Sequence, residues 1–288
     1  MDILVIGGTR YFGIPMTNAL IEKGHDVTIA TRGRNPDSCG DRVSRIIFDR
    51  ADENSIIKAF RGKHYDIVID KIAYSSNDVK RLLDHVDCGR YILMSSSAVY
   101  SNIHADTPES NFSAKAYPLR WCERADSDYA EVKRQAECAL VQSYPDINYT
   151  AVRYPVVIGR NDYTKRLYFY AECIINGTPM FIDDMDSRIS FIHENDAGAF
   201  LAHLADTELS GAVNGCSDGD ISVREMIEYI EKMTGKKAVL SNDGLPAPYN
   251  GYPQAATLDT SRAKGTGFRF SDIKEKIYET LEYYIRSF

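Results

Sequence analysis

Short apolar runs alternate with amphipathic stretches through the first half of the chain, in a strand–helix–strand order. Apolar runs of about four to eight residues that end at polar or turn-forming residues are typical of buried strands, whereas a repeat of about 3.6 residues is typical of helices. This pattern predicts strands at 2–6, 26–30, 44–48, 66–70, 90–95 and 148–154, and helices at 14–23, 53–61, 77–86 and 126–143. Repeated units of this kind predict an α/β fold with a doubly wound parallel Rossmann sheet.

The pattern becomes less regular after Gly159. Helical patterns are separated there by short apolar pieces, while segments rich in Pro, Gly or polar residues predict loops. The helices are predicted at 163–176, 194–204, 222–234 and 271–286, and the loops at 101–120 and 241–254. These elements divide the chain into two parts. We expect a dinucleotide-binding Rossmann domain over 1–158 and a smaller C-terminal α/β lobe over 159–288 that binds substrate. Within the lobe, residues 189–216 are expected to pack back against the Rossmann domain. Such a lobe would cover the strand ends, where ligands bind in these sheets.

The first strand ends in a glycine-containing turn, which leads directly into the first helix. Gly7 allows the tight turn, and Gly13 allows the helix to lie close to the strand. The backbone N–H groups and the positive end of the helix dipole then suit a dinucleotide pyrophosphate. The residues that we expect to contact the cofactor in this turn are Gly7, Thr9, Arg10, Tyr11, Phe12 and Gly13.

Two clusters of polar side chains are candidates for proton transfer. Tyr129 and Lys133 are four residues apart on a predicted helix and so share one face. A nearby ammonium group lowers the pKa of a phenol from its reference of about 10, which would let Tyr129 exchange a proton with a substrate oxygen near neutral pH. Three serines at 95–97 end the fifth strand, at the edge expected to face the cofactor. One hydroxyl could bind a substrate oxygen there; the alternative is that they only satisfy local backbone groups.

Composition and charge indicate which partners, metal sites and compartment to expect. The net charge of −7 makes nucleic acid or an anionic membrane surface an unfavourable main partner. The six cysteines are widely spaced without a paired metal-binding pattern, which is typical of buried thiols in a reducing compartment, and no metal site is expected. The chain enters its first strand at once and contains no apolar run of membrane-spanning length. We therefore expect a cytoplasmic protein without a membrane partner.

Five motifs in order resemble the extended short-chain dehydrogenase/reductase family, also called the NAD-dependent epimerase/dehydratase family. The resemblance spans nearly the whole chain and belongs to a divergent branch that begins Gly-Gly-Thr-Arg. Arg10 stands where most members have the middle glycine of their turn. The matching segments are the turn at 7–13, Ser-Ser-Ala-Val-Tyr at 96–100, Tyr129 with Lys133, Arg-Tyr-Pro at 153–155, and Arg188 to His193 within 188–196.

The resemblance implies a role for each matching residue. Ser96 would be the catalytic hydroxyl and Tyr129 the acid/base. Lys133 would support Tyr129 and hold the nicotinamide ribose. The substrate contacts would be Ser97 and Arg188, with Arg188 gripping a nucleotide diphosphate. The expected cofactor contacts also include Asp49, Tyr154, Tyr129 and Lys133.

The end of the second strand indicates which nicotinamide cofactor is preferred. Thr31 stands where an NAD-preferring member would carry an acidic ligand for the ribose 2′-hydroxyl, and Arg32 follows it. Arg34 and Arg10 add positive charge near the expected adenosine end. Arginine suits a 2′-phosphate, so NADP(H) is the predicted cofactor and NAD the alternative, in which these arginines are only solvated loop cations.

At several positions the sequence lacks residues that the family uses for its reaction or for binding the substrate. An Asp-Glu pair of the dehydratases is replaced by Ser97 and Ala98, so water elimination is not expected. Val156 and Val157 replace an expected asparagine, and a second phosphate-binding arginine is replaced near Tyr249. His193 is expected to be a structural hydrogen-bonding residue.

The sequence therefore predicts an NAD(P)-dependent epimerase or oxidoreductase with a Ser96–Tyr129–Lys133 site. Its substrate would be a small molecule, a nucleoside diphosphate sugar or a related carbonyl or hydroxyl compound. One alternative is a small-molecule carbonyl reductase without a nucleotide substrate. Another, from a different class, is a non-catalytic nucleotide-sensing or RNA-associated protein. Either a monomer or a homodimer is expected.

Overall fold

A computed structural model describes residues 1–288, and its centre is a parallel sheet of seven strands. The strands, including short pairs outside this sheet, are β1 (Asp2–Ile6), β2 (Asp26–Thr31), β3 (Ser44–Ile47), β4 (His64–Asp70), β5 (Asp87–Ser96), β6 (Asn148–Tyr154), β7 (Val156–Ile158), β8 (Met180–Phe181), β9 (Arg188–Ile189), β10 (Phe191–His193), β11 (Gly211–Asn214), β12 (Leu245–Pro246) and β13 (Ala255–Ala256). The sheet order is β11-β6-β5-β4-β1-β2-β3. The predicted doubly wound α/β fold is confirmed.

Nine helices surround the sheet and build the rest of the chain. They are α1 (Gly13–Glu22), α2 (Glu53–Phe60), α3 (Ser76–Leu83), α4 (Tyr129–Ser143), α5 (Arg166–Asn176), α6 (Glu194–Leu204), α7 (Val223–Thr234), α8 (Ser261–Lys264) and α9 (Ile273–Ile285). Side-chain caps set several of their starts: Asp128 accepts a hydrogen bond from the Glu131 N–H, so α4 begins at Tyr129, three residues later than predicted.

Alternation along β1 shows how the sheet divides the core. Ile3 and Val5 belong to the apolar core on the face covered by α1 and α6, whereas Leu4 and Ile6 belong to the core on the face covered by α2, α3 and α4. Successive strand side chains point to opposite faces, so a strand that is apolar at every position must be covered on both sides. This is why the central strands are continuous apolar runs.

The strand order reverses beside β1. The chain builds the sheet outward from β1 to β2 and β3, and then crosses back to place β4, β5 and β6 on the other side of β1. The connections leaving β1 and β4 therefore separate and open a crevice at the carboxyl edge of the sheet. Ligands of doubly wound folds bind at this point.

The C-terminal part of the chain forms its own core and then rejoins the sheet. Apolar residues of α5, α7 and α9 pack together in this lobe. Between them, β10 pairs with β7, α6 packs on α1, and β11 adds to the sheet beside β6. The lobe is thus held against the carboxyl edge of the sheet. No helix is both long and apolar enough to cross a membrane.

Candidate active site

The turn between β1 and α1 brings backbone very close to backbone. Gly7 has a φ of +89°, which side-chain-bearing residues rarely adopt. A Cβ at Gly13 would lie 2.9 Å from the Gly8 carbonyl oxygen, so only glycine lets α1 begin this close to β1. Phe12 is the N-cap residue of α1 and gives it no side-chain cap. The N–H groups of Gly13 and Ile14 bond to the carbonyl oxygens of Arg10 and Tyr11, so any N–H groups left for a ligand lie in the turn before α1.

The turn presents free backbone N–H groups and nearby cations, which together can bind an anion. The N–H groups of 9–12 make no hydrogen bond to other backbone groups, so they are free to bind an acceptor. The Lys71 ammonium, which follows β4, lies 4.3 Å from the centre of the Phe12 ring. Burial, and then the positive charge of Arg10, lower the pKa of Lys71 to about 8. Two cations thus flank the free N–H groups, which suits a pyrophosphate.

The three serines that end β5 have different environments. Ser95 donates a hydrogen bond of 2.5 Å to Glu137, which lies in a buried ion pair with Arg153. The Ser96 hydroxyl accepts a hydrogen bond from the Ala98 N–H at 3.2 Å and lines the cleft. Ser97 lines the same cleft. Ser95 also lines the cleft, but its hydroxyl is bound to Glu137 of α4, so the hydroxyls of Ser96 and Ser97 are the better candidates to bind a ligand.

Tyr129 and Lys133 lie on the expected side of α4, across the cleft from these serines. Tyr129 is 47% exposed and, like Ser96, lines the cleft. Lys133 is fully buried, and its ammonium donates hydrogen bonds to the carbonyl oxygens of Ala73 at 2.7 Å and Met94 at 2.9 Å. An ammonium has three N–H donors, so these two acceptors leave one donor unused.

Electrostatics at this pair differ from the expectation that Lys133 lowers the pKa of the phenol. Partial desolvation in the cleft raises the pKa of Tyr129 above its usual value, and the nearby Ser96 hydroxyl opposes this only in part. Burial also lowers the pKa of Lys133 to about 7. A lysine that is itself half neutral near pH 7 gives the phenol little positive support. The charges that favour the ionised form of Tyr129 come from Arg166 and Arg124.

The carboxyl ends of β2 and β3 carry the residues expected at the adenosine end. Arg32 and Arg34 are exposed, and Thr31 accepts a hydrogen bond from the Gly33 N–H at 3.1 Å. Asp49 follows β3 and accepts a hydrogen bond from the Ala51 N–H at 3.0 Å. The only acidic group among these, Asp49, is thus partly engaged by backbone, and the two arginines are accessible to a ligand.

Arg188 requires a correction, because it is not among the residues that line the cleft. Its guanidinium binds Asp220 at 2.5 Å and Glu225 at 2.6 Å in the C-terminal lobe. Two carboxylates that already neutralise it leave little charge for a diphosphate. The His193 side chain caps α6 by accepting a hydrogen bond from the Asn195 N–H, which is the structural role expected for it. Tyr249 is buried, and its hydroxyl has no hydrogen-bond partner.

Several cleft residues were missed from the sequence. They are aromatic or cationic side chains from loops and helix starts: Lys71, Tyr74, Arg124, Tyr163, Arg166 and Tyr252. Lys71 directly follows β4, a strand predicted to end at the ligand edge, and that position was the available signal. No local pattern marks the others, since they reach the cleft only through the packing of distant segments.

The assembled cleft encloses about 600 Å³, within the usual size of a small-molecule site. It runs from the glycine turn, past the end of β5 and Tyr154, to the start of α5. The Tyr154 ring lines the cleft while its hydroxyl donates to the Ala197 carbonyl oxygen at 2.7 Å. Free N–H groups, two nearby cations and an elongated aromatic wall fit a nicotinamide dinucleotide. No group of three or more metal-ligating side chains is present.

Comparison with known proteins identifies a matching family and two relatives by sequence. The model of the NAD dependent epimerase/dehydratase family matches residues 3–87 and 77–215, which is most of the chain. Chloroplast stem-loop binding protein of 41 kDa b of Arabidopsis thaliana is 24% identical over 93% of this chain and 70% of its own length. The 2′-dehydrokanamycin reductase of Streptomyces kanamyceticus is 25% identical over 82% of this chain and 67% of its own length.

Solved structures share the fold along the whole chain. The UDP-glucose 4-epimerase of Thermotoga maritima, solved with UDP-glucose, superimposes with a TM-score of 0.76 at 18% identity and covers 100% of this chain and 99% of its own. The UDP-glucose 4-epimerase of Thermus thermophilus, solved with NAD, gives a TM-score of 0.69 at 18% identity over 99% of both chains. At this identity the likeness concerns the fold.

Proposed function

Because the chain belongs to the NAD-dependent epimerase/dehydratase family, and so to the enzymes of the epimerase and oxidoreductase type, we propose that Ser96, Tyr129 and Lys133 form its active site. The observation that supports this most directly is that Ser96 and Tyr129 line the same cleft although they come from different elements, β5 and α4. The cofactor is a nicotinamide dinucleotide, which supplies or accepts a hydride when bound.

Tyr129 would hold or move the proton of the substrate oxygen. Its raised pKa means that the phenol is protonated at neutral pH, so it is ready to donate a proton to a carbonyl oxygen that is being reduced. Ser96 would orient the same oxygen, because it lines the cleft with Tyr129 and its hydroxyl, which accepts from the Ala98 N–H, keeps its own proton to donate. Lys133 has one N–H donor left after Ala73 and Met94, and this donor would hold a hydroxyl of the nicotinamide ribose.

The substrate would be a carbonyl or hydroxyl compound, either part of a nucleoside diphosphate sugar or free of a nucleotide. The engagement of Arg188 by Asp220 and Glu225 favours the second candidate, a small-molecule reductase, because it removes the cation that would grip a diphosphate. The structurally similar UDP-glucose 4-epimerase of Thermotoga maritima, solved with UDP-glucose, supports the first candidate. A non-catalytic or RNA-associated protein would have no use for Ser96 and Tyr129 in one cleft or for a buried Lys133. These residues therefore count against that alternative.

The test is the change Tyr129→Phe, which keeps the ring and removes the acidic proton. A panel of carbonyl compounds is screened by NADPH oxidation, and a panel of sugar nucleotides by NMR for epimerisation. With the substrate found, kcat should fall about a hundredfold or more, the usual effect of losing a positioned acid, while the cofactor Kd stays unchanged. Tyr283→Phe, on the exposed side of α9, is the matched control. A normal kcat in the Tyr129 variant, or turnover of no compound in either panel, would contradict the proposal.

A further inference from the structure

The walls of the cleft carry positive charge and no carboxylate, in a chain with 41 acidic and 34 basic residues. Three cations line it: Lys71, Arg124 and Arg166. Lys71 lies over the Phe12 ring beside the glycine turn, where a cofactor phosphate would neutralise it. The two arginines come from other segments, and the cofactor turn does not account for them.

Arg124 has no ionic partner. It lies in the loop before α4, with the carbon of its guanidinium 3.8 Å from the centre of the Tyr74 ring. The neighbouring carboxylate, Glu123, is bound instead by Arg81 and by the Asn77 amide. A guanidinium over an aromatic ring is not neutralised by that contact, and its N–H donors can still bind an anion.

Arg166 begins α5 and is similarly available. Its Nε donates one hydrogen bond of 3.0 Å to the Thr164 hydroxyl, which in turn donates to Asp162 at 2.6 Å. Thr164 thus fixes the orientation of the guanidinium, while Asp162 forms no ion pair with it within 4.0 Å. Four of the five N–H donors of Arg166 remain unused.

Both guanidinium groups lie within electrostatic reach of the group that would move the proton. Their charges act on the Tyr129 phenol, where both favour the ionised form. The charge of Arg166 also acts on Tyr252 and on Tyr11, both of which line the cleft. The two arginines therefore line the same cleft as Tyr129 and act on its phenol from two different segments.

We propose that Arg124 and Arg166 bind an anionic group of the substrate, a carboxylate or a phosphoryl group, and that the protein acts on anionic sugar-sized compounds. Guanidinium groups match the paired oxygens of both anions, and no carboxylate lines the cleft to neutralise these two arginines. A substrate rich in amino groups would be repelled, since the cleft offers it no carboxylate. The inference deepens the proposed function and rests on it, because it assigns the substrate class of the same cleft.

The experiment measures ligand binding rather than turnover. NADPH-saturated protein is titrated by calorimetry with glucuronate, glucose 1-phosphate, neutral glucose and cationic glucosamine. At least one of the two anions should bind ten times or more tightly than glucose, about 1.4 kcal/mol. Arg124→Gln and Arg166→Gln should each remove most of this preference while the NADPH Kd changes less than about twofold. Arg160→Gln is the matched control, since Arg160 lies outside the cleft on the Tyr283 ring.

The outcomes separate the inference from the function on which it rests. Equal binding of glucose and both anions, preferred binding of glucosamine, or anion binding that survives both arginine changes would overturn the inference while cofactor binding stands. A preference for one anion identifies the carboxylate or the phosphoryl group. If NADPH and NADH both fail to bind, the proposed function fails instead, and the same sugar titrations without cofactor still decide whether the arginines bind an anion.

Discussion

Some residues that are suited to catalysis lower the stability of the fold. Lys133 is the clearest case, since a fully buried ammonium is held by two carbonyl oxygens and no carboxylate. Burial that lowers a lysine pKa to about 7 from 10.5 makes the charged form a stability cost in the folded state. A buried cation that the fold alone does not favour is typical of a group kept for a ligand or for catalysis.

The first prediction concerns the pH dependence of stability that Lys133 produces. Between pH 7 and about 10.5 the unfolded lysine binds a proton that the folded one has lost, so this group makes the free energy of unfolding rise with pH. Urea denaturation of the wild type and of Lys133→Met isolates the effect. From pH 7 to pH 9 the wild type should gain about 2 kcal/mol relative to the variant. A difference between the two proteins that is independent of pH would show that Lys133 is not desolvated.

The second prediction concerns the choice between NADP and NAD. Arg32 and Arg34 are accessible at the end of β2, and Thr31 offers no carboxylate to a ribose hydroxyl. NADPH should therefore bind at least tenfold more tightly than NADH, about 1.4 kcal/mol, when both are measured by calorimetry. Arg32→Ala should erase most of this gap, whereas Arg42→Ala, outside the sheet edge, should leave it unchanged. Equal affinities in the wild type would favour NAD.

At the scale of the elements, the bounds of a strand or helix could be predicted from the sequence where neighbouring residues determine them. Strand β1 and helix α1 lie within one residue of their predicted bounds, because apolar runs and glycine turns act over a few neighbouring residues. Helix α5 begins at Arg166 rather than at 163, because Lys165 adopts a left-handed conformation and interrupts the helical pattern. The environment of Arg188 could not be predicted, since Asp220 and Glu225 approach it from a distant segment.

The third prediction concerns the contact between α1 and α6. Alanine in a helix interior is usually better than glycine by about 1 kcal/mol, but a Cβ at Gly198 would lie 2.6 Å from the Met16 backbone nitrogen. Helix α1 would have to move away and take the cofactor turn with it. Gly198→Ala should lower the free energy of unfolding by about 1–3 kcal/mol and weaken NADPH binding.

Gly265→Ala is the control for this change, since the nearest atoms to its Cβ would be backbone oxygens at 3.3 Å and its φ of −60° suits alanine. It should alter stability by less than about 0.5 kcal/mol and leave NADPH binding unchanged. Urea denaturation and calorimetry on both variants check the pair. Equal stability of the Gly198 variant and the wild type would mean that α1 and α6 are less closely packed than the structure has them.

At the scale of the whole molecule, the C-terminal lobe and the sheet are joined at several points. Only Pro155 separates β6 in the sheet from β7, and β10 continues directly into α6. The Tyr284 hydroxyl, near the end of α9, donates a hydrogen bond of 2.8 Å to the carbonyl oxygen of Gly159. Removing the lobe would therefore also remove α6 and β11, which cover and extend the sheet.

The last prediction follows from this shared construction: the two parts should unfold together, and a cofactor bound in the cleft should stabilise both. Trp121 is the only tryptophan and lies before α4, so its fluorescence reports on the sheet side, while far-UV circular dichroism reports on all helices. The two urea transitions should coincide, and NADPH at a hundred times its Kd should shift both by about 2.7 kcal/mol. A circular dichroism transition that precedes the fluorescence change, and that NADPH does not move, would instead mean that the lobe unfolds alone. In that case the cofactor would be held by the sheet side of the cleft without any contribution from the lobe that carries Arg166.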